Sequence, residues 1–152
     1  MPDTAIAPNA RGGDAEEARI RRGVARLLTD LGYAVLYEFR LTNGRRVDVI
    51  GLNDEAEFVV VEVKSSVADF RGDRKWREYL PFCDRFYFGV SERFPDRLLP
   101  GDCGVIVADG YGGAIRREAA RVAVNGTRRR RQVVRFALAA AGRLQRRIDP
   151  GI

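Results

Sequence analysis

The chain has 152 residues, 45% hydrophobic and 32% charged, with a net charge of +6, two cysteines and no histidine. That length suits one domain with a substantial core, and the missing histidine excludes a Ser-His-Asp triad, a Cys-His pair, an HExxH zinc site and a histidine base. Any chemistry must rest on carboxylates, Lys, Arg, Tyr, Ser or a hard cation.

Residues 1–13, "MPDTAIAPNARGG", lack periodicity and are expected to be a disordered tail. They contain no apolar signal core, and no run in the chain has membrane-spanning length, so a cytoplasmic protein is expected. Residues 14–150 are expected to form a single domain. Asp14 can cap a helix running to about Leu31, with Ile20, Val24, Leu27, Leu28 and Leu31 on its apolar face and Gly32 as its stop. "YAVLYEFRL" (33–41) alternates as a strand, with Glu38 and Arg40 on one face as an expected surface pair, and "TNG" is the turn that follows.

"RRVDVIGL" and "EFVVVEVKSS" are two further strands joined around "NDEA". "DRKWREYLPFCDRF" spaces Trp76, Tyr79, Leu80 and Cys83 as a helix that Pro81 ends or kinks. Trp76 and Tyr79 read as core side chains, with base stacking as the alternative. Cys83 and Cys103 lack metal-ligand spacing and read as two buried thiols. "RFYFGV" (85–90) and "CGVIVA" (103–108) are apolar enough for central strands, and "GGAI" (112–115) can start a short edge strand.

The last element, about 128–148, is a basic amphipathic helix. Val133, Phe136, Ala137, Ala140, Leu144 and Ile148 fall on one side, and Arg128, Arg131, Arg135, Arg143 and Arg146 on the other. Residues 116–152 hold eleven arginines against Glu118 and Asp149, whereas residues 1–115 are nearly neutral. A basic segment on a near-neutral body suits a polyanion, with Arg128, Arg129, Arg130, Arg131 and Arg135 as the phosphate contacts. A solvated charged helix is the alternative. The order α-β-β-β-α-β-β-α gives an α/β class, a mixed sheet covered by helices.

Within the second and third strands, Asp48, Glu62 and Lys64 interrupt valines and isoleucines. Alternation puts Glu62 and Lys64 on one face. A hairpin turn near residues 54–55 pairs residues whose numbers sum to about 109 or 110, which sets Asp48 beside or across from Glu62. Two neighbouring carboxylates repel unless a proton or cation intervenes. Mg²⁺ suits Asp48, Glu62 and a backbone carbonyl such as that of Val63, with waters filling its other positions. Lys64 can orient a water, accept its proton if its pKa is depressed, or neutralise developing charge. An ordinary solvent-facing Glu62–Lys64 pair is the alternative. Only Lys64 and Lys75 among 27 basic residues are lysine, which suits a need for a compact or titratable charge.

Asp48…Glu62-Val63-Lys64, on a hairpin preceded by a helix and a strand, resembles the PD-(D/E)xK nuclease superfamily. "EVKSSVADFRGDRKWREYLPFCDRFYF" (62–88), "FPDRLLP", "CGVIVADGYG" and "RFALAAAGRL" resemble the MmcB-type DNA-repair family. The resemblance spans roughly residues 14–148. It implies a restriction-endonuclease-like fold, a DNA-repair setting and Mg²⁺-dependent cleavage of nucleic acid, with Mn²⁺ as a substitute. The motif residues map to Asp48, Glu62 and Lys64. A glutamate of the first helix often joins such a metal site, and Glu17 is the match, with Glu16 competing. Lys75 stands where superfamily members often place a residue facing the phosphate. Val47 replaces the proline of the nominal motif, which supplies no ligand. DNA is the implied partner, RNA is not distinguished from it, and a repair-protein partner and a homodimer remain open. A catalytically silent module binding nucleic acid or a repair protein is the second reading.

Overall fold

The computed structural model describes residues 8–151. Helix α1 spans Pro8–Asp30, so residues 8–13 belong to a helix rather than to a tail; residues 1–7 of the expected tail lie outside the described residues. Asp14 is therefore interior to the helix and does not cap it. The other end matches expectation. Gly32, at φ +93°, lets its own N–H reach the Thr29 carbonyl and the Tyr33 N–H reach that of Leu28, the paired bonds of a Schellman cap.

Six strands follow: β1 (Ala34–Arg40), β2 (Arg46–Leu52), β3 (Phe58–Val63), β4 (Arg85–Val90), β5 (Gly104–Ala108) and β6 (Gly113–Arg117). They lie in sequence order across one mixed sheet. The β1/β2, β2/β3 and β5/β6 pairs are antiparallel, and β3/β4 and β4/β5 are parallel. Burial explains the arrangement. Every residue of β3 is buried and β4 nearly so, as central strands covered on both faces require.

On one face Ile20, Val24 and Leu28 of α1 pack against Val49, Val59, Val61 and Ile106. On the other, Phe136 of the last helix, α3 (Gly126–Ile148), joins Trp76, Tyr79, Phe82, Phe86 and Phe88. Trp76 stacks on Phe86 at a centroid distance of 5.6 Å, so Trp76 and Tyr79 are core residues. Cys83 and Cys103 are free, buried thiols.

The expected element order needs two corrections. β6 is a full sixth strand, and the stretch expected as a helix, residues 73–86, is not α-helical. A short helix α2 (Val67–Gly72) comes first, and Trp76–Phe82 forms 3-10 turns. The threefold period of those turns explains the change. Trp76, Tyr79 and Phe82 point inward together, a pattern that resembles α-helical spacing over a short span.

Helix α3 also docks on a different azimuth from the one expected. Its buried residues are Gln132 and Phe136, while Ala137 is exposed and Leu144 and Ile148 are 60% and 70% exposed. Polar bonds set the rotation. The Gln132 side-chain amide donates to the Phe82 carbonyl at 2.7 Å, Arg135 donates to the Arg40 carbonyl, and Arg143 donates to those of Tyr37 and Glu38. Since β1 is an edge strand, the turns after Arg143 overhang the sheet.

Candidate active site

The β2/β3 register pairs Val49 with Val61, and its continuation would pair Asp48 with Glu62. The ladder ends there instead, and the two side chains replace it. Glu62 Oε1 accepts the Asp48 N–H at 3.1 Å, and Asp48 Oδ2 accepts the Val63 N–H at 2.8 Å. Beyond this point β3 follows β4, with the Lys64 N–H donating to the Gly89 carbonyl at 2.9 Å. The strands thus part where the two acids meet.

The neighbouring backbone accommodates the opening. Leu36 and Phe39 both associate with the α3-side core, as do Val47 and Ile50, so β1 and β2 step out of strict alternation together between residues 37–39 and 47–49. Glu38, in register opposite Asp48, takes a left-handed φ of +48°, a conformation that costs a non-glycine residue about 1–3 kcal/mol. This turns Glu38 toward Arg21 of α1, 4.0 Å away, and replaces the expected Glu38–Arg40 pair.

Glu62 is buried. Burial, then the adjacent Asp48 carboxylate, pushes its pKa up to about 9. Glu17 of α1 is close enough to feel the same charge: burial first and Asp48 second raise it, against the pull of Arg21 at 3.6 Å. Glu16, the competing residue, lines a separate cleft. The Asp48 and Glu62 carboxyls also lie within hydrogen-bonding reach of each other, a contact that adds to the rise at Glu62. Paired carboxylates are the donor type that a water-rich hard cation takes, and Val63 ends β3 beside them. No group of three or more acidic, Cys or His side chains able to hold a metal occurs among the described residues.

Lys64 is 5% exposed, and its Nζ lies 2.7 Å from Asp73 Oδ2 and 3.9 Å from Asp69 Oδ1. Burial works to lower its pKa, but the bond to Asp73 and the charges of Asp69, Asp73 and Glu62 outweigh it and raise it. The pKa is thus raised rather than depressed, against the option of a proton-accepting lysine. Asp73 is matched to it. Burial alone would raise the Asp73 carboxyl, yet Lys64 and the Lys75 and Trp76 amides hold it low.

Asp69 and Asp73 were not found by sequence reasoning. Ser66 caps α2 by accepting the Asp69 N–H at 3.0 Å, while the Ser65 N–H donates to Asp69 at 3.3 Å. A Ser-x-x-acid spacing is a helix-start signal that could have revealed α2. Only the fold shows that α2 returns its C-terminal Asp73 to Lys64. Lys75 is exposed, and its main-chain N–H caps Asp73.

The arginine run does not join this site. Arg129 donates to both oxygens of Asp84, at 2.8 and 2.5 Å, and to the Ala56 and Val124 carbonyls. Asp84 also accepts the Phe58 and Val124 N–H groups. Arg129 is thus an internal fastener rather than a phosphate contact. Arg128 lies over the Phe82 ring and donates to the Pro81 carbonyl, and Arg135 is tied to Arg40. Arg130 and Arg131 are exposed; Arg131 lines a shallow cleft with Arg40, Leu41, Thr42 and Gly44 at the β1–β2 turn and with Arg135, and neither arginine bonds to Asp48, Glu62 or Lys64.

Comparison with known proteins places these features in context. The family model described as DNA repair protein MmcB-like matches residues 5–151. A solved structure, the SPO1766 protein of unknown function from Silicibacter pomeroyi, is 43% identical with a TM-score of 0.85, over 89% of this chain and 92% of that one. No curated protein matches.

Proposed function

From the premise that this chain belongs to the MmcB-like DNA repair family, we propose that it is a PD-(D/E)xK-type nuclease of restriction-endonuclease-like fold. Its reaction is Mg²⁺-dependent hydrolysis of a phosphodiester in DNA under repair. The observation that carries this reading is the interlock of Asp48 and Glu62 where β2 and β3 part, beside the buried Lys64.

Asp48, Glu62 and the Val63 carbonyl would hold the cation, with Glu17 as an outer acid. A divalent ion held there would offset the repulsion between the carboxylates and would supply polarisation of the phosphate and acidification of a water. Lys64, fixed by Asp73, contributes positive charge near the phosphate and does not act as a base. Purified protein incubated with flapped, branched and single-stranded DNA plus Mg²⁺ or Mn²⁺ should cleave one of them. Activity that persists in Asp48→Ala and Lys64→Ala would rule out this site.

A second reading is a silent nuclease fold that binds nucleic acid or a repair protein. It is favoured by one observation, that the described residues gather no three-ligand metal group. Titration calorimetry separates the two. Heat on adding Mg²⁺ that Asp48→Asn abolishes supports the nuclease, and salt-dependent DNA binding without that heat supports the silent module.

A further inference from the structure

The most exposed large apolar side chain, Tyr111 at 86%, stands on the β5–β6 turn, well away from α3. Its backbone is tightly held. Asp109 Oδ1 accepts the N–H groups of Tyr111 at 2.8 Å and Gly112 at 3.0 Å, and Arg26 of α1 donates to the Tyr111 carbonyl at 3.1 Å. The turn lies directly on α1 at Gly23, where an added Cβ would meet the Asp109 and Gly112 carbonyl oxygens at 2.0 and 2.4 Å. Gly23 is thus the residue that permits this contact. The turn is rigid while its aromatic ring faces water.

Tyr111 borders two clefts. One, of about 930 Å³, runs between α1 and the ends of β4 and β5 and is lined by Arg19 and Ser91 among others. The other, of about 550 Å³, lies on the side of Arg22 and Arg26. Arg19 and Arg22 are exposed, and neither has an ion pair or side-chain hydrogen bond among the described residues. The larger cleft does not include the carboxylates but starts next to them: Glu16 adjoins Glu17, and Ser91 follows β4, whose Gly89 pairs with Val63. It therefore opens beyond the carboxyl ends of the parallel strands, where open α/β sheets receive ligands. Glu16 and Glu92 also line the cleft and repel phosphate, so a phosphate path follows the α1 arginines.

A fixed, water-facing ring beside unpaired guanidinium groups has the chemistry of a base-stacking platform, with the ring taking a base and the arginines its phosphates. A duplex hides its base faces and gives the ring nothing to stack on. We infer that Tyr111, with Arg19, Arg22 and Arg26, binds an unpaired stretch of nucleic acid leading to the Asp48–Glu62–Lys64 site. This deepens the proposed function and rests on it, naming the substrate class as a single strand or a flap beside a duplex.

The test is fluorescence anisotropy on the full chain in EDTA, with labelled oligo-dT, oligo-rU and a blunt hairpin duplex. Single strands should bind more tightly than the duplex. Tyr111→Ala should weaken single-strand binding about tenfold, leave duplex binding unchanged, and be rescued by Tyr111→Trp. Arg19→Ala and Arg22→Ala should each flatten the salt dependence, reducing the log–log slope by about 0.7. Stronger binding to either strand, DNA or RNA, supports the platform. Unchanged single-strand affinity in Tyr111→Ala, equal loss for strand and duplex, or no binding to any strand overturns it. Because EDTA removes the metal, these outcomes are independent of cleavage. Loss of the platform with Asp48-dependent cleavage intact leaves the nuclease reading standing, whereas an intact platform without metal binding sinks the nuclease reading alone.

Discussion

Helices α1 and α3 cover opposite faces of one sheet and both carry arginine, but they use it differently. In α3, Arg129, Arg135 and Arg143 reach inward to Asp84 and to the carbonyls of Arg40, Tyr37 and Glu38. Their charge fastens the helix. In α1, Arg19 and Arg22 face solvent, Arg19 in the cleft that starts next to the acids and Arg22 in the neighbouring one. The lower-charged helix therefore also offers unengaged charge, at the cleft that starts next to the acids. A count of basic residues measures attraction at long range, whereas an interface depends on which guanidiniums are left unengaged.

That contrast can be broken at several points. The largest effect is expected at the carboxylates: Asp48→Asn should reduce metal-dependent cleavage to background while the protein stays folded, as read by a gel assay beside circular dichroism. Unfolding of this variant would mean that the Asp48–Val63 bond is chiefly structural.

Next comes the fastener. Arg129→Ala strands the buried Asp84 carboxylate and should cost about 3–5 kcal/mol in urea denaturation, whereas Arg131→Ala should stay within about 0.5 kcal/mol. Equal losses in the two variants would erase the distinction between inward and outward arginines.

The same ion pair predicts a pH dependence. Burial opposes ionisation of Asp84, but Arg129 and the Phe58 and Val124 amides hold its carboxyl below the ordinary 3.8. A carboxyl lowered on folding stabilises the protein above its unfolded pKa, and that stability is lost as the pH falls through the folded value. Thermal melts from pH 6 to 2 should show an acid limb that is flatter in Asp84→Asn than in the natural chain. Parallel curves would show that other acids set the limb.

The smallest effect separates the helices directly. Arg131→Ala should change oligo-dT affinity by less than about twofold, against a clear loss in Arg22→Ala. The reverse order would return the nucleic-acid surface to α3.

Much of the framework was legible in the residues. The β2/β3 register followed from the turn position, and the observed pairing of Val49 with Val61 sums to 110, within the expected range. Strand alternation and turn length are local properties, so short-range spacing carries them. The meeting of Asp48 and Glu62 was legible for the same reason. The left-handed Glu38 was not, because it is maintained by contacts with Arg21 and Arg143 from distant parts of the chain.

The sequence by itself determined the order of most strands, the inward Ile20, Val24 and Leu28 of α1 (though not Leu31, which is 52% exposed) and the convergence of two acids near a lysine, because periodicity and hairpin geometry act over a few residues. Only the tertiary structure decided that Lys64 pairs with Asp73, that Arg129 pairs with the buried Asp84 and that α3 turns Leu144 and Ile148 outward. Those outcomes depend on partners brought together by packing, and a charge's role is set by the nearest oppositely charged or polar group in space.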